Sequence, residues 1–75
     1  MKVRTLGAHM TEISTDKAEI LISYETPVAA RVDGIGWIRT KRKWSVTTSK
    51  HINVWLRGTP AKEVDQSVLD NLLNN

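Results

Sequence analysis

The 75 residues predict an α+β domain, and three observations carry that expectation. A period-two apolar pattern runs through residues 18–32. A second extended segment follows the tight-turn pair Asp33-Gly34, and beyond residue 47 the apolar spacing changes to that of a helix. The expected layout is a three-stranded antiparallel meander with room for a fourth strand, followed by one short helix and one C-terminal helix.

In the first segment Ile20, Ile22, Tyr24, Thr26, Val28, Ala30 and Val32 share one face, and the phase runs unbroken through Pro27. One long strand and two shorter ones fit this pattern equally. Pro27 belongs at an edge or bulge, where its missing N–H does no harm. Asp33-Gly34 signals a two-residue type I′ turn into a strand over 35–40. That turn sets Val32 opposite Ile35, Ala30 opposite Trp37 and Val28 opposite Arg39. A further turn at Lys41-Arg42 would set Trp37 opposite Val46 and Arg39 opposite Trp44. Both registers place Val28, Ala30, Val32, Ile35, Trp37, Trp44 and Val46 inside, and leave Ala29, Arg31, Ile38, Thr40, Lys43, Ser45 and Thr47 on an outer, basic face. The hydroxyl run Thr47-Thr48-Ser49 then suits an N-cap, with Ser49 as the cap. Ile52, Trp55 and Leu56 recur at helical spacing before the stop signals Gly58 and Pro60. A second helix is expected within 60–73, where Val64, Val68, Leu69, Leu72 and Leu73 form one stripe capped by Asp65 or Thr59.

A chain of this length supports one small domain without large clefts. It has no cysteine, so disulfides and thiolate zinc sites are excluded and a reducing compartment is expected. No run approaches the roughly 18 apolar residues of a membrane span and no secretory leader is visible, so the expected location is the cytoplasm. Net charge is +3, yet residues 31–57 hold seven basic side chains and the single acid Asp33. The segment Gly7-Ala8-His9-Met10 has the form of a cleavable-tag remnant, with Met10 as the natural start. On that reading residues 1–10 are foreign, the domain runs 11–75, and without Lys2 and Arg4 the net charge falls from +3 to +1.

Catalytic residues are not expected. The carboxylates are scattered, Asp33 serves a turn, and Ser49-Lys50-His51 falls at a helix start, where Ser49 is a cap and not a nucleophile. His51 alone makes no metal site, and Gly34-Ile35-Gly36 is short of any nucleotide-binding fingerprint, so no metal or cofactor is expected. What remains is the basic face: Arg31, Lys41, Arg42 and Lys43, with the hydroxyls of Thr40, Ser45 and Thr47. These residue types contact phosphates through charge and bases or sugars through hydrogen bonds, which makes DNA or RNA the expected partner. Two other readings stay open: an acidic protein partner, and a solvated sheet face whose lysine-rich turn discourages edge aggregation.

A three-stranded meander over residues 18–56, followed by a helix and carrying a basic outer sheet face, resembles the arm-type DNA-binding domains of phage and transposon integrases and plant domains of similar topology. That resemblance implies a sheet lying in the major groove. The runs Gly36-Trp37-Ile38-Arg39-Thr40 and Lys43-Trp44-Ser45-Val46-Thr47-Thr48-Ser49-Lys50-His51-Ile52 are similar to segments of short phage and prokaryotic proteins, which implies a mobile-element accessory role. Self-association is also expected. The strand over 35–40 is too short to pair with the whole of 18–32, which leaves the part around Ile22 open to a second copy or to a strand folded back from residues 1–17.

Overall fold

The centre of the molecule is a pair of strands in which nearly every side chain is shielded from water. The computed structural model describes residues 1–73. In β3 (Ala18–Ser23) and β4 (Thr26–Val32), Ile20, Leu21, Val28, Ala29 and Ala30 are fully buried. Successive residues on a strand point to opposite faces, so burial of neighbours such as Ile20 and Leu21 requires cover on both sides of the sheet.

That cover comes from two helices. Around the central pair the order along the chain is β1 (Lys2–Gly7), β2 (Met10–Ser14), β3, β4, β5 (Gly36–Thr40), α1 (Val46–Leu56), β6 (Lys62–Val64) and α2 (Gln66–Leu72). The strands lie side by side in chain order as one six-stranded sheet, antiparallel except for the β5–β6 pair, which is parallel. A parallel pair needs a crossover. Here α1 is that crossover, and it packs Ile52 and Leu56 onto Met10, Leu21, Val28 and Ala29. On the opposite face α2 packs Leu69 onto Ala18, Ile20, Ile22, Ala30, Val32 and Ile38. The chain is thus α+β as expected, with a larger, mixed sheet.

The apolar segment over 18–32 is two strands. They are joined at Tyr24-Glu25, where Ser23 pairs with Thr26 and Tyr24 adopts a left-handed φ of 59°. Pro27 lies beside a register shift that leaves Val28 without a partner, the bulge setting in which its missing N–H is tolerated. The partner strand sought for the Ile22 region is β2, which pairs with β3 from Met10 against Ser23 to Ser14 against Glu19. The pairing shortfall that suggested self-association is therefore met within the chain. Residues 1–10 build β1 and the turn into β2, Met10 is buried, and His9 adopts φ 58° in that turn.

Four expectations require correction. The β4–β5 connection holds three residues, not two: Val32 pairs with Gly36, Arg31 with Trp37 and Ala30 with Ile38. Ile35 N–H donates to the Val32 carbonyl, and Gly34 and Gly36 take φ of 81° and 100°. This one-residue change turns β5 over. Ile38 enters the core, Ile35 is 66% exposed, and Trp37 lies half-buried on the α1 side, edge-on to Trp55 at 5.4 Å. The expected third strand of the meander is also absent, because Val46 begins α1. Trp44 and Val46 therefore stand outside the core, 41% and 75% exposed. The helix cap is Ser45 in place of Ser49: its Oγ accepts from Thr48 N–H at 3.1 Å. At the other end Arg57 takes the left-handed C-cap conformation and is followed by Gly58 at φ 80°. The second helix is shorter than the stripe suggested, since Val64 belongs to β6.

The two registers make opposite stability predictions. Ile38→Ala removes a side chain that is 1% exposed and should cost about 2–5 kcal/mol, whereas Trp44→Ala should cost clearly less. Urea denaturation of the two variants checks this, and the reverse ranking would restore the two-residue turn.

Candidate functional site

The basic residues of the second half are gathered where β5 gives way to α1. No acidic residue occurs between Asp33 and Glu63, while Arg39, Lys41, Arg42, Lys43, Lys50, Arg57 and Lys62 fall in that interval. Lys41, Arg42, Lys43, Trp44 and Ser45 form the β5–α1 loop, and all five are exposed.

This loop is held at both ends. At the β5 end, buried Thr40 Oγ1 accepts from Arg42 N–H at 3.1 Å. At the α1 end, Ser45 Oγ caps the helix and also donates to Thr48 Oγ1 at 3.3 Å. Between them, two side chains anchor the loop to the start of α2. Lys41 Nζ meets Asp65 Oδ1 at 2.7 Å, and Trp44 Nε1 donates to Gln66 Oε1 at 3.1 Å. Gln66 in turn donates to the Pro27 carbonyl at 2.6 Å, so the loop, α2 and β4 are joined. Asp65 occupies the N-cap position of α2 but makes no side-chain cap bond, its carboxylate being turned to Lys41. The Arg42 guanidinium stacks on the Trp44 ring 4.2 Å from its centroid, a cation–π contact.

The residues expected to form one basic face are thus divided. Lys41, Arg42, Lys43 and Ser45 share the loop, and Thr47 is exposed in the first turn of α1. Thr40 is buried and serves the loop's backbone. Arg31 is not part of this group. Its Nε donates to Glu19 at 2.7 Å and its Nη1 to Asp33 at 3.1 Å, and these hydrogen bonds, Glu19 first, hold its pKa above the ordinary value. The outer sheet face that would have displayed these groups does not exist: Ala29 lies under α1 and Ile38 under α2. Cations that the sequence reading did not include now extend the patch. On α1 the solvent-facing residues are Val46, Thr47, Lys50, Asn53 and Val54, with Arg57 at the C-cap, and the helix contains no acid. The signal for this was present in the i, i+3, i+7 and i+10 spacing of Thr47, Lys50, Val54 and Arg57, which share one helix face.

Two clefts adjoin the loop. One, of about 460 Å³, runs between α1 and the β5–β6 edge and is lined by Arg39, Arg42, Trp44, Ile52 and Glu63. Arg39 Nη1 reaches Asn53 at 3.5 Å, while its Nε is buried without a hydrogen-bond partner. The other, of about 250 Å³, opens on the far side of Trp44, between the loop and the β3–β4 turn. At its base Ser23 Oγ lies 2.8 Å from His51 Nδ1 and 3.0 Å from Thr48 Oγ1. Ser23 is 2% exposed, and the hydroxyl–imidazole contact ties α1 to β3. No group of three or more metal-ligating side chains occurs among the described residues, and no helix among them is long and apolar enough to cross a membrane.

A family model described as Family of unknown function (DUF8033) matches residues 1–71. No curated protein and no solved structure matches the chain.

The Lys41–Asp65 clamp carries a pH signature. The hydrogen bond that Lys41 donates to Asp65 and the charge of that carboxylate, with a smaller contribution from Glu63, raise the Lys41 pKa above its ordinary 10.5. A raised pKa means the contact stabilises fully below the unfolded value and is lost as pH climbs through the folded one. Lys41→Met should therefore melt below wild type at neutral pH. The two melting curves should converge above about pH 10.5, a difference that calorimetry across that range reads directly.

Proposed function

The chain belongs to that family of unknown function, and we propose that this domain is a small non-enzymatic module that binds nucleic acid through the β5–α1 loop and the solvent face of α1. The observation that carries the reading is a run of exposed cations on a loop and helix whose own sequence, from Lys41 to Arg57, contains no acid. Lys43 in the loop, Lys50 on α1 and Arg57 at its C-cap stand exposed, and no carboxylate among the described residues is ion-paired with any of them. Cations left unneutralised on a surface can contact phosphates, and release of condensed counterions supplies the affinity. The positive end of the α1 backbone dipole, at Ser45 and Val46, adds to the attraction where the loop meets the helix. Lys41 and Arg42 contribute less, since Asp65 and Trp44 already engage them. Relative to the basic sheet face expected from sequence, the proposed surface keeps Lys41, Arg42, Lys43, Ser45 and Thr47, leaves out Arg31, and adds Lys50 and Arg57.

The second reading is an acidic protein partner, favoured by Val46 and Val54, which are 75% and 65% exposed among these cations. Salt dependence separates the two. Phosphate contacts lower log affinity linearly with log salt, with a slope of about 0.9 per neutralised phosphate on duplex. Fluorescence anisotropy with labelled duplex DNA, single-stranded DNA and RNA should show binding at low salt. In the variant combining Lys43→Gln, Lys50→Gln and Arg57→Gln, the slope should fall by about one for each contact removed. Substitutions at Arg31 should leave both affinity and slope unchanged. No binding of wild type to any nucleic acid at low salt would transfer the assignment to a protein partner.

A further inference from the structure

We propose that the cleft between the β5–α1 loop and the β3–β4 turn is a slot for one unstacked base, which makes the ligand a single-stranded nucleic acid. This deepens the phosphate-binding reading above and rests on it.

Four observations carry the slot. First, two large aromatic side chains line it and stay exposed, Trp44 at 41% and Tyr24 at 49%, in a protein whose other two indoles are half-buried and packed on each other. Second, Trp44 lines both clefts, whereas Arg42 lines only the larger one. The indole is therefore the wall between them, with Arg42 stacked on one face and the opposite face turned to the smaller cleft. Third, the volume of about 250 Å³ lies below the roughly 300–1,000 Å³ of sites for extended small molecules and suits a single ring system. Fourth, the remaining lining residues, Ser23, Thr26, Val28, Ser45 and Thr48, all have short side chains, which leaves room for a ring beside the two aromatics. The hydroxyls of Ser23, Ser45 and Thr48 are bonded to one another, to His51 and to the helix cap, so this floor imposes no particular pattern on the edge of a base.

The slot is preorganised. Tyr24 sits at φ 59° in a tight turn, its N–H bonded to the His9 carbonyl at 2.7 Å and its ring stacked on His9 with centroids 4.6 Å apart. Trp44 is fixed by its bond to Gln66. Arg42 and Lys43 immediately precede Trp44 in sequence, so a base against the indole places its own phosphates beside the loop's cations. Aromatic stacking beside a basic track is the general means of holding single strands, and it tolerates sequence because every base presents a π face. Inside a duplex the bases are already stacked on each other, so no ring face is free to enter the slot.

The experiment compares two fluorescein-labelled strands of equal length and charge, an oligothymidylate and its abasic counterpart, binding the full chain at low salt by anisotropy. The expected result is at least about tenfold tighter binding of the base-bearing strand. Trp44→Leu, and separately Tyr24→Asn, should bring the oligothymidylate down to the abasic affinity, with far-UV circular dichroism confirming that each variant is folded. Equal affinities of wild type for the two strands would overturn the slot while leaving phosphate binding through Lys43 and Lys50 in place. Folded variants that keep the tenfold preference would overturn it as well. Absence of binding to either strand would overturn both readings and leave the surface to a protein.

Discussion

Burial of β3 and β4 on both faces is the constraint from which the rest of the architecture follows. Ile20 and Leu21 are adjacent, fully buried and on opposite sides of the sheet, as are Ala29 and Ala30. One helix cannot cover both sides. After β5 the chain therefore crosses one face as α1, returns to the sheet edge as β6, and crosses the other face as α2. With both faces of β3 and β4 covered, the outward-facing surfaces of the second half of the chain are loops, edges and the outer sides of the helices. The cations of the second half gather there for that reason. Lys41, Arg42 and Lys43 occupy the link through which β5 becomes the crossover helix, and Lys50 and Arg57 lie on that helix's outer side.

Much of this was legible in the sequence. The α+β class, a bulge setting for Pro27, the helix ending at Gly58 and Asp65 as one of two candidate caps follow from local signals, namely period, proline, left-handed glycine and a short polar residue before an apolar stripe, whereas the choice between one strand and two over 18–32 stayed open. The errors arose where a local signal was weighed without its neighbours. The alternation Ile20, Ile22, Val28, Ala30 read as a one-sided strand, yet the consecutive runs Ile20-Leu21-Ile22 and Val28-Ala29-Ala30 carry the two-sided message. Asp33-Gly34 favours a two-residue hairpin. A third residue, Ile35, is accommodated because Gly36 can take φ 100°. No short-range rule distinguishes these outcomes; the burial of Ile38 under Leu69 decides it.

The candidate site was legible in part for a related reason. The run Lys41-Arg42-Lys43 with no nearby acid in the chain marks an exposed loop in any fold. Arg31 looked equivalent because its partners are distant in sequence: Glu19 reaches it only through the β3–β4 register. Trp44 was read as core because large indoles usually are. It became the wall of a cleft because the β5–α1 loop, instead of a third strand, carries it. Ser45 and Thr40, expected to face a ligand, are the two hydroxyls that shape the loop.

The anchoring of the loop to α2 has a kinetic side. Strands β1 to β5 pair only with their chain neighbours, through short turns, and such local contacts form quickly because little loop entropy opposes them. The β5–β6 pairing and the docking of Leu69 must await closure across the whole of α1. Asp65 and Gln66 arrive with that last step, so Lys41 and Trp44 acquire their anchors only when the C-terminal segment has settled. Local opening of β6 and α2 would release the same two side chains while the meander stays folded. Hydrogen exchange at the amides of the β5–α1 loop would then track the stability of the C-terminal helix, not that of the sheet from which the loop springs.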